Sequence, residues 1–296
     1  MGWPKKKLLL LIPVIFLLAL PFRPTGASPP AGPLRIVCFA PSGAEILYAL
    51  QAQNLLVGVS DFCVYPPSVK KIPRVGGFYN PNLERVAALM PDLVIVEGHH
   101  DKVADFCNKR GIPVHHLRMD KSISGIKTGI MELGKIAGKS SQAAALWAGI
   151  EKDLAKVKKA VSGLARKKVF ACVGRSPDGL SGVTTASGNS FVGEIISIAG
   201  GINVFSDLDR PYPEVSKESL LKRAPDFVLE LRPGENLSPK RKEEIIRDWD
   251  VLAPLPAVSN RKVIVLTDDF LLLPGPRLAQ AARTMARTLH PEAALP

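Results

Sequence analysis

The chain has 296 residues, and its 39 Lys and Arg outnumber its 27 Asp and Glu, which gives a formal net charge of +12 at pH 7. The basic residues are spread along the chain and are not interleaved with aromatic residues, so we expect a solvated basic surface and no nucleic-acid partner. The four cysteines form no CxxC pair, which argues against a structural zinc site and leaves the pairing of Cys63 with Cys107 open.

The first 27 residues have the pattern of a cleavable signal peptide. Lys5, Lys6 and Lys7 precede an uncharged apolar run at 8–20, and small residues follow at 25–27. A membrane-spanning helix needs about 20 apolar residues, and this run is shorter. An uncleaved membrane anchor remains the alternative. No cysteine lies near the end of the run, so a lipoprotein anchor has no acceptor. We therefore expect the mature protein to be exported.

Residues 34–139 are predicted to form an N-terminal α/β lobe. Short apolar runs alternate there with amphipathic stretches, as in a mostly parallel sheet that is covered by helices. The predicted strands are 35–39, 56–59, 93–96 and 113–117, and the predicted helices are 44–50, 83–89, 101–109 and 123–137.

Residues 140–165 are predicted to form one long helix that connects two halves of the chain. Ser140 or Ser141 can cap its first turn. Apolar residues then recur at alternating steps of three and four, which places them in one stripe along the helix. The stripe consists of Trp147, Ile150, Leu154, Val157, Val161 and Leu164. At 1.5 Å per residue, this helix would be a rigid connector of roughly 35 Å.

Residues 166–296 repeat the alternation and are predicted to form a C-terminal α/β lobe. The predicted strands are 168–173, 227–231 and 262–266, and the predicted helices are 191–199, 217–223, 239–249 and 277–289. Two such halves on either side of a long helix are typical of two separate α/β lobes.

The two halves also share local sequence. Residues 84–95 align without a gap with residues 218–229, and in each segment an acid opens a helix that ends before Pro-Asp and an apolar strand. The same offset places Phe78 opposite Tyr212. We therefore predict two related, Rossmann-like lobes with a ligand cleft between them, where the ends of the strands meet.

Short motifs follow one another in a characteristic order from residue 34 to residue 290. The N-terminal motifs are Pro41-Ser42-x-x-Glu45, Val57-Gly58-Val59-Ser60 with Tyr65-Pro66-Pro67, Asn82-Leu83-Glu84-Arg85 and Pro91-Asp92-Leu93-Val94. The C-terminal motifs are Gly200-Gly201-Ile202-Asn203, Pro211-Tyr212-Pro213-Glu214-Val215-Ser216 and Pro276-Arg277. Their order and spacing resemble those of the cobalamin and iron-siderophore solute-binding proteins.

The resemblance implies a periplasmic, monomeric receptor in which a backbone helix joins two α/β lobes. Such a receptor captures a small ligand in the cleft and delivers it to an ABC permease in the inner membrane. The resemblance further implies that Glu84 and Glu218, one in each lobe, dock to the permease. Both acids open a helix, so the positive end of the helix dipole is a sufficient alternative reason for their presence.

The resemblance also implies a set of ligand contacts. It places aromatic contacts at Phe62, Phe78 and Tyr212, and an acid–arginine pair at Asp268 or Asp269 with Arg277. Tyr79 extends the aromatic set. His99 or His100, directly after a predicted strand, is placed to reach an open coordination position of a bound metal chelate, or is simply solvated.

A corrinoid presents a broad apolar ring edged with amides, so the aromatic set favours a cobalt corrinoid over a ferric siderophore or haem. A bare metal-ion receptor is less favoured, because His115 and His116 are neighbours on a strand and point to opposite faces. An exported α/β enzyme is also less favoured, since the chain has no GxGxxG after a strand, no Walker loop and no Gly-x-Ser-x-Gly elbow. We expect neither a resident cofactor nor a protein-bound metal.

Overall fold

The structure, a computed structural model, describes residues 32–177 and 179–295. The predicted signal peptide at 1–27 lies outside the described residues. Within those residues, no helix combines the length and the apolar character that crossing a membrane requires.

The N-terminal lobe is a parallel sheet of four strands in the order β2-β1-β3-β4. Strands β1 to β4 are Ile36–Cys38, Leu56–Val59, Leu93–Glu97 and Val114–Leu117, and helices α1 to α4 are Pro41–Ala49, Leu83–Ala88, Asp101–Asn108 and Ile123–Ile136. Short 3₁₀ helices lie at Gln53–Leu55 and Pro67–Lys71. Helix α1 begins three residues before its predicted start because proline is well suited to the first position of a helix.

The connecting helix α5 is Ser140–Val161. The expectation that Ser140 or Ser141 caps it is wrong, because the N-cap residue is Lys139 and no side chain caps the helix. Gly138, with a φ of +66°, makes a tight turn after α4, and helical hydrogen bonding begins with the amide of Ala143 donating to the Lys139 carbonyl at 2.9 Å.

The C-terminal lobe contains a second sheet, in the order β6-β5-β8-β9, with β7 also paired to β5. Strands β5 to β9 are Lys167–Gly174, Thr184–Thr185, Gly201–Asn203, Phe227–Leu231 and Val263–Leu266. Helices α6 to α10 are Phe191–Ile198, Lys217–Arg223, Pro239–Arg247, Pro256–Ser259 and Leu278–Leu289, and a 3₁₀ helix follows α8 at Asp248–Leu252. The sequence did not predict β6 and β7, because strands of two or three residues carry no periodic signal. Strand β6 is antiparallel to β5, and the other strand pairs are parallel.

The internal repeat has the same hydrogen bonds in both lobes. Asp92 accepts a bond from the amide of Arg35 at 2.9 Å, and its own amide donates to the Arg35 carbonyl at 2.8 Å. Asp226 makes the same two bonds with Lys168, both at 2.8 Å. The residue before each Pro-Asp has a left-handed backbone, with φ of +43° and +45°. Each Asp therefore ties the start of one central strand to the next strand of its sheet.

One cluster of buried apolar side chains is continuous between the lobes. It includes Ile36 of the N-terminal lobe, Trp147 of α5 and Val169 of the C-terminal lobe. Helix α5 packs against α4 on one side and against α10 on the other. Because interiors are close-packed, this shared core resists a large hinge movement between the lobes.

All four cysteines are free and buried. Cys63 belongs to the core that the lobes share, whereas Cys107 lies in a separate cluster on the other face of the N-terminal sheet. These two residues therefore do not pair, and burial raises the pKa of both thiols.

Candidate functional site: the cleft between the lobes

The carboxyl ends of strands from both lobes meet at a cavity of about 450 Å³. The N-terminal lobe contributes Glu97, Gly98 and Asp120, and the C-terminal lobe contributes Val173, Phe191, Tyr212, Leu272, Leu273 and Pro274. Apolar side chains with a few polar groups among them are the usual lining of a small-molecule site.

Tyr212 crosses this cavity from the C-terminal lobe to the N-terminal lobe. Its phenol donates a hydrogen bond to the carbonyl oxygen of Asp120 at 3.3 Å. The same carbonyl accepts from the amide of Phe191 at 3.3 Å. Burial, assisted by the carboxylates of Asp120 and Glu97, raises the pKa of the phenol well above its ordinary value, so Tyr212 is a neutral donor at physiological pH.

Glu97 is the last residue of β3 and is one of the residues that line the cavity. Ser42 Oγ donates a hydrogen bond to Glu97 Oε2 at 2.5 Å. The other oxygen, Oε1, is shielded from solvent and has no hydrogen-bond partner among the described residues. The pKa of this carboxyl is raised to about 7, chiefly by burial, with the Ser42 hydrogen bond opposing the rise and the negative charge of Asp120 adding to it. Sequence reasoning did not single out Glu97, although its place at the end of a parallel strand was a usable signal.

A second cavity, of about 250 Å³, lies on the N-terminal lobe. It is lined by Phe78, Tyr79, His99, His100, Asp101, Lys102 and Val103. Gly98 lines the larger cavity and His99 the smaller one, so the two cavities flank the same loop. The Phe78 ring packs edge-on against Tyr79 at 4.9 Å and against His100 at 4.7 Å between ring centroids. Three of the predicted contacts, Phe78, Tyr79 and His99, therefore come together here.

Four exposed aromatic side chains lie on the N-terminal lobe, and two of them, Phe78 and Tyr79, line this second cavity. The rings of Phe62, Tyr65, Phe78 and Tyr79 are all exposed, Tyr79 to 83%. The Phe62 ring packs over the backbone of Gly77, the residue before Phe78. It lies so close that a Cβ atom added at Gly77 would be 3.1 Å from the ring. We call these four residues the aromatic rim. An exposed apolar group of this kind marks a binding surface.

Arg277 lies between the lobes and is largely buried. Its guanidinium donates to both carboxylate oxygens of Glu45 in α1, at 2.9 and 2.5 Å, and to Asp269 at 2.6 Å. It also lies 4.0 Å from the centroid of the Tyr65 ring. The acid that pairs with Arg277 on its own loop is therefore Asp269, whereas Asp268 is exposed and makes no ion pair within the described part of the chain.

The two acids with a proposed docking role occupy matched positions. Glu84 and Glu218 are both the second residue of a helix, after the side-chain caps Asn82 and Ser216. Both are exposed, and neither forms an ion pair with another described residue. Hydrogen bonds from its own amide and from Ser216 lower the pKa of Glu218, so it is ionised at physiological pH.

His99 and His100 follow strand β3 and lie in different surroundings. His99 is exposed, whereas His100 is buried against Phe39 and Phe78, and its burial lowers its pKa. His100 Nδ1 has no hydrogen-bond partner in the described chain. Across residues 32–177 and 179–295, no group of three or more His, Cys, Asp or Glu side chains could hold a metal ion.

Two α/β lobes, a connecting helix and a cleft at the strand ends define a two-lobed solute-binding protein. Residues 36–270 match the family model of the periplasmic binding proteins. The chain therefore belongs to the periplasmic binding protein family, and the predicted resemblance and fold class are confirmed.

Proteins similar to this chain include vitamin B12-binding proteins and a heme-binding protein. Over 261 residues, the chain is 28% identical to the vitamin B12-binding protein of Pectobacterium carotovorum, and the match covers 87% of this chain and 88% of that protein. The solved periplasmic vitamin B12-binding protein BtuF of Vibrio cholerae has a TM-score of 0.69 at 25% identity, over 86% of this chain and 96% of that one. The periplasmic heme-binding protein RhuT from Roseiflexus sp. RS-1 has a TM-score of 0.73 at 25% identity, over 88% and 99%.

Proposed function

We propose that this protein captures a corrinoid in the cleft between its lobes and delivers it to the permease of an ABC importer. The observation that carries the proposal is the mainly apolar cavity of about 450 Å³, which the aromatic rim extends along the N-terminal lobe. Relatives and a solved structure named as vitamin B12-binding proteins support the same ligand class.

The lining suits the chemistry of a corrinoid. Aromatic and aliphatic side chains can pack against the broad face of the ring. Glu97 and the phenol oxygen of Tyr212, which can still accept, offer hydrogen-bonding groups toward its amide edge. The rim is open, so a ligand larger than the cavity can be held with part of its surface exposed.

Haem is the second candidate, and two observations favour it. The chain is similar to a solved heme-binding protein, and the buried His100 Nδ1 lacks a hydrogen-bond partner in the described chain. The charges of the larger cavity oppose this candidate. Glu97 and Asp120 line it, while none of its lining residues in the described chain is Lys or Arg. Anionic groups, such as the carboxylates of haem or the oxygens of many siderophores, would meet two acids there.

Transport rather than catalysis is the role that we propose for the cleft. We further propose that the protein is exported to the periplasm after cleavage near residue 27, acts there as a monomer, and uses Glu84 and Glu218 to straddle the permease. The matched placement of the two acids on helix starts supports the last point.

The direct test is ligand capture by the purified mature chain. The protein is mixed in turn with cyanocobalamin, cobinamide, haem and a ferric siderophore, is passed through a desalting column, and its absorption spectrum is recorded. We expect the protein to retain the corrinoids. Titration calorimetry should then give a Kd that is micromolar or lower, which corresponds to a binding free energy of roughly 8 kcal/mol or more. Retention of haem or the siderophore without any corrinoid would refute the proposal.

A further inference from the structure

Glu97 is a partly buried acid, and the described residues provide a hydrogen-bond partner for only one of its two carboxyl oxygens. Ser42 satisfies Oε2 at 2.5 Å, whereas Oε1 is shielded from solvent and has no partner among the described residues. A buried acceptor without a partner is destabilising and is uncommon in native proteins. Because Glu97 is one of the residues that line the larger cavity, a rotation of its carboxyl group would present Oε1 to whatever fills that cavity.

Comparison with Glu45 shows that the arrangement at Glu97 is not required by burial alone. Glu45, which also lies between the lobes, has both oxygens bound by Arg277. No such cation serves Glu97 within the described chain. The titratable groups around Glu97 are Cys38 on β1, Asp120 after β4 and Tyr212 from the C-terminal lobe, and none of them is a cation.

We propose that Glu97 is a ligand-contacting residue whose free Oε1 accepts a hydrogen bond from an amide N–H of the bound ligand. The assignment rests on the proposed function and deepens it, because an amide-edged corrinoid carries such donors whereas haem does not. An N–H donor also complements the negative potential that Glu97 and Asp120 create in the cavity, so the same pair selects against anionic chelates.

The raised pKa of Glu97 makes this contact dependent on pH. The pKa is about 7 without ligand, chiefly because burial disfavours the charged form. An N–H donor favours the ionised carboxylate, so ligand binding lowers the pKa and releases a proton near neutral pH. If the ligand binds only the ionised form, affinity rises by about tenfold between pH 6 and pH 8, and little beyond.

The test measures the Kd for cyanocobalamin at about pH 6 and about pH 8 by titration calorimetry. Wild type is compared with Glu97→Gln, which keeps an acceptor oxygen without titrating, and with Glu97→Leu, which removes the acceptor. Glu243→Gln, an exposed acid on α8, is the matched control. We expect about a tenfold gain in wild-type and Glu243→Gln affinity at the higher pH, a flat profile for Glu97→Gln, and a flat profile with about tenfold weaker binding for Glu97→Leu.

A wild-type profile that is flat, or that weakens with rising pH, would overturn the assignment. So would a Glu97→Leu variant that binds as tightly as wild type at the higher pH. Should that variant fail to fold, as its melting curve would reveal, the profile of the near-isosteric Glu97→Gln decides alone. Failure of the wild type to bind cyanocobalamin at either pH would instead refute the proposed function, so the two failures are distinguishable.

Discussion

The buried ion pair between Glu45 and Arg277 is expected to hold the lobes together. Its partners are 232 positions apart in the chain, come from different lobes, and are only 5% and 8% exposed. Replacing Arg277 by Leu would leave the Glu45 carboxylate buried without its counter-ion, and breaking such a pair costs about 3–5 kcal/mol. Since 1 kcal/mol shifts the Tm of a domain of this size by roughly 2–4 °C, Arg277→Leu should lower the Tm by roughly 6–20 °C.

Thermal unfolding followed by circular dichroism measures this effect in wild type, in Arg277→Leu and in the double variant Glu45→Leu, Arg277→Leu. The double variant should regain most of the lost stability, because apolar residues can replace a buried pair at little cost. Arg241→Leu is the matched control. It breaks the exposed pair with Glu244, which has an N–O distance of 3.0 Å, and should cost no more than about 1 kcal/mol.

The alternative is that Arg277 acts mainly on the ligand, as the family resemblance implies. In that case Arg277→Leu would melt close to wild type and lose affinity for cyanocobalamin. A Tm change no larger than that of Arg241→Leu would therefore refute the role of Arg277 in joining the lobes.

Two further expectations separate capture from delivery. Tyr212→Ala should weaken corrinoid binding by about 1–3 kcal/mol in titration calorimetry, because it removes a large ring from the cavity, and an unchanged Kd would place the ligand elsewhere. The double change Glu84→Ala, Glu218→Ala should leave that Kd unchanged but impair docking to the importer reconstituted in lipid, more strongly at low salt than at high salt. Normal docking and uptake by the double variant would show that these acids have no docking role and only stabilise the starts of their helices.

Local patterns were sufficient to predict most of the secondary structure. Strands Leu56–Val59 and Phe227–Leu231 and helix Lys217–Arg223 agree with prediction residue for residue, because apolar runs and Pro-Asp signals delimit them within a few positions. The long helix was predicted from its apolar stripe, although Leu164 lies beyond its last turn. Its first turn was misjudged because the turn at Gly138, and not a serine side chain, decides where it begins.

The sequence by itself determined the order of strands and helices and the connecting helix, because these depend on residues close together in the chain. It also matched Glu84 with Glu218, because a single offset of the internal repeat aligns the two halves. Only the tertiary structure decided the partners in the cleft. Arg277 forms an ion pair with Glu45, 232 positions away in the chain. In the sequence, Glu97 is only a polar residue at the end of an apolar strand. Its unpartnered oxygen depends on which groups the folded chain brings within hydrogen-bond distance, and no local pattern encodes that distance.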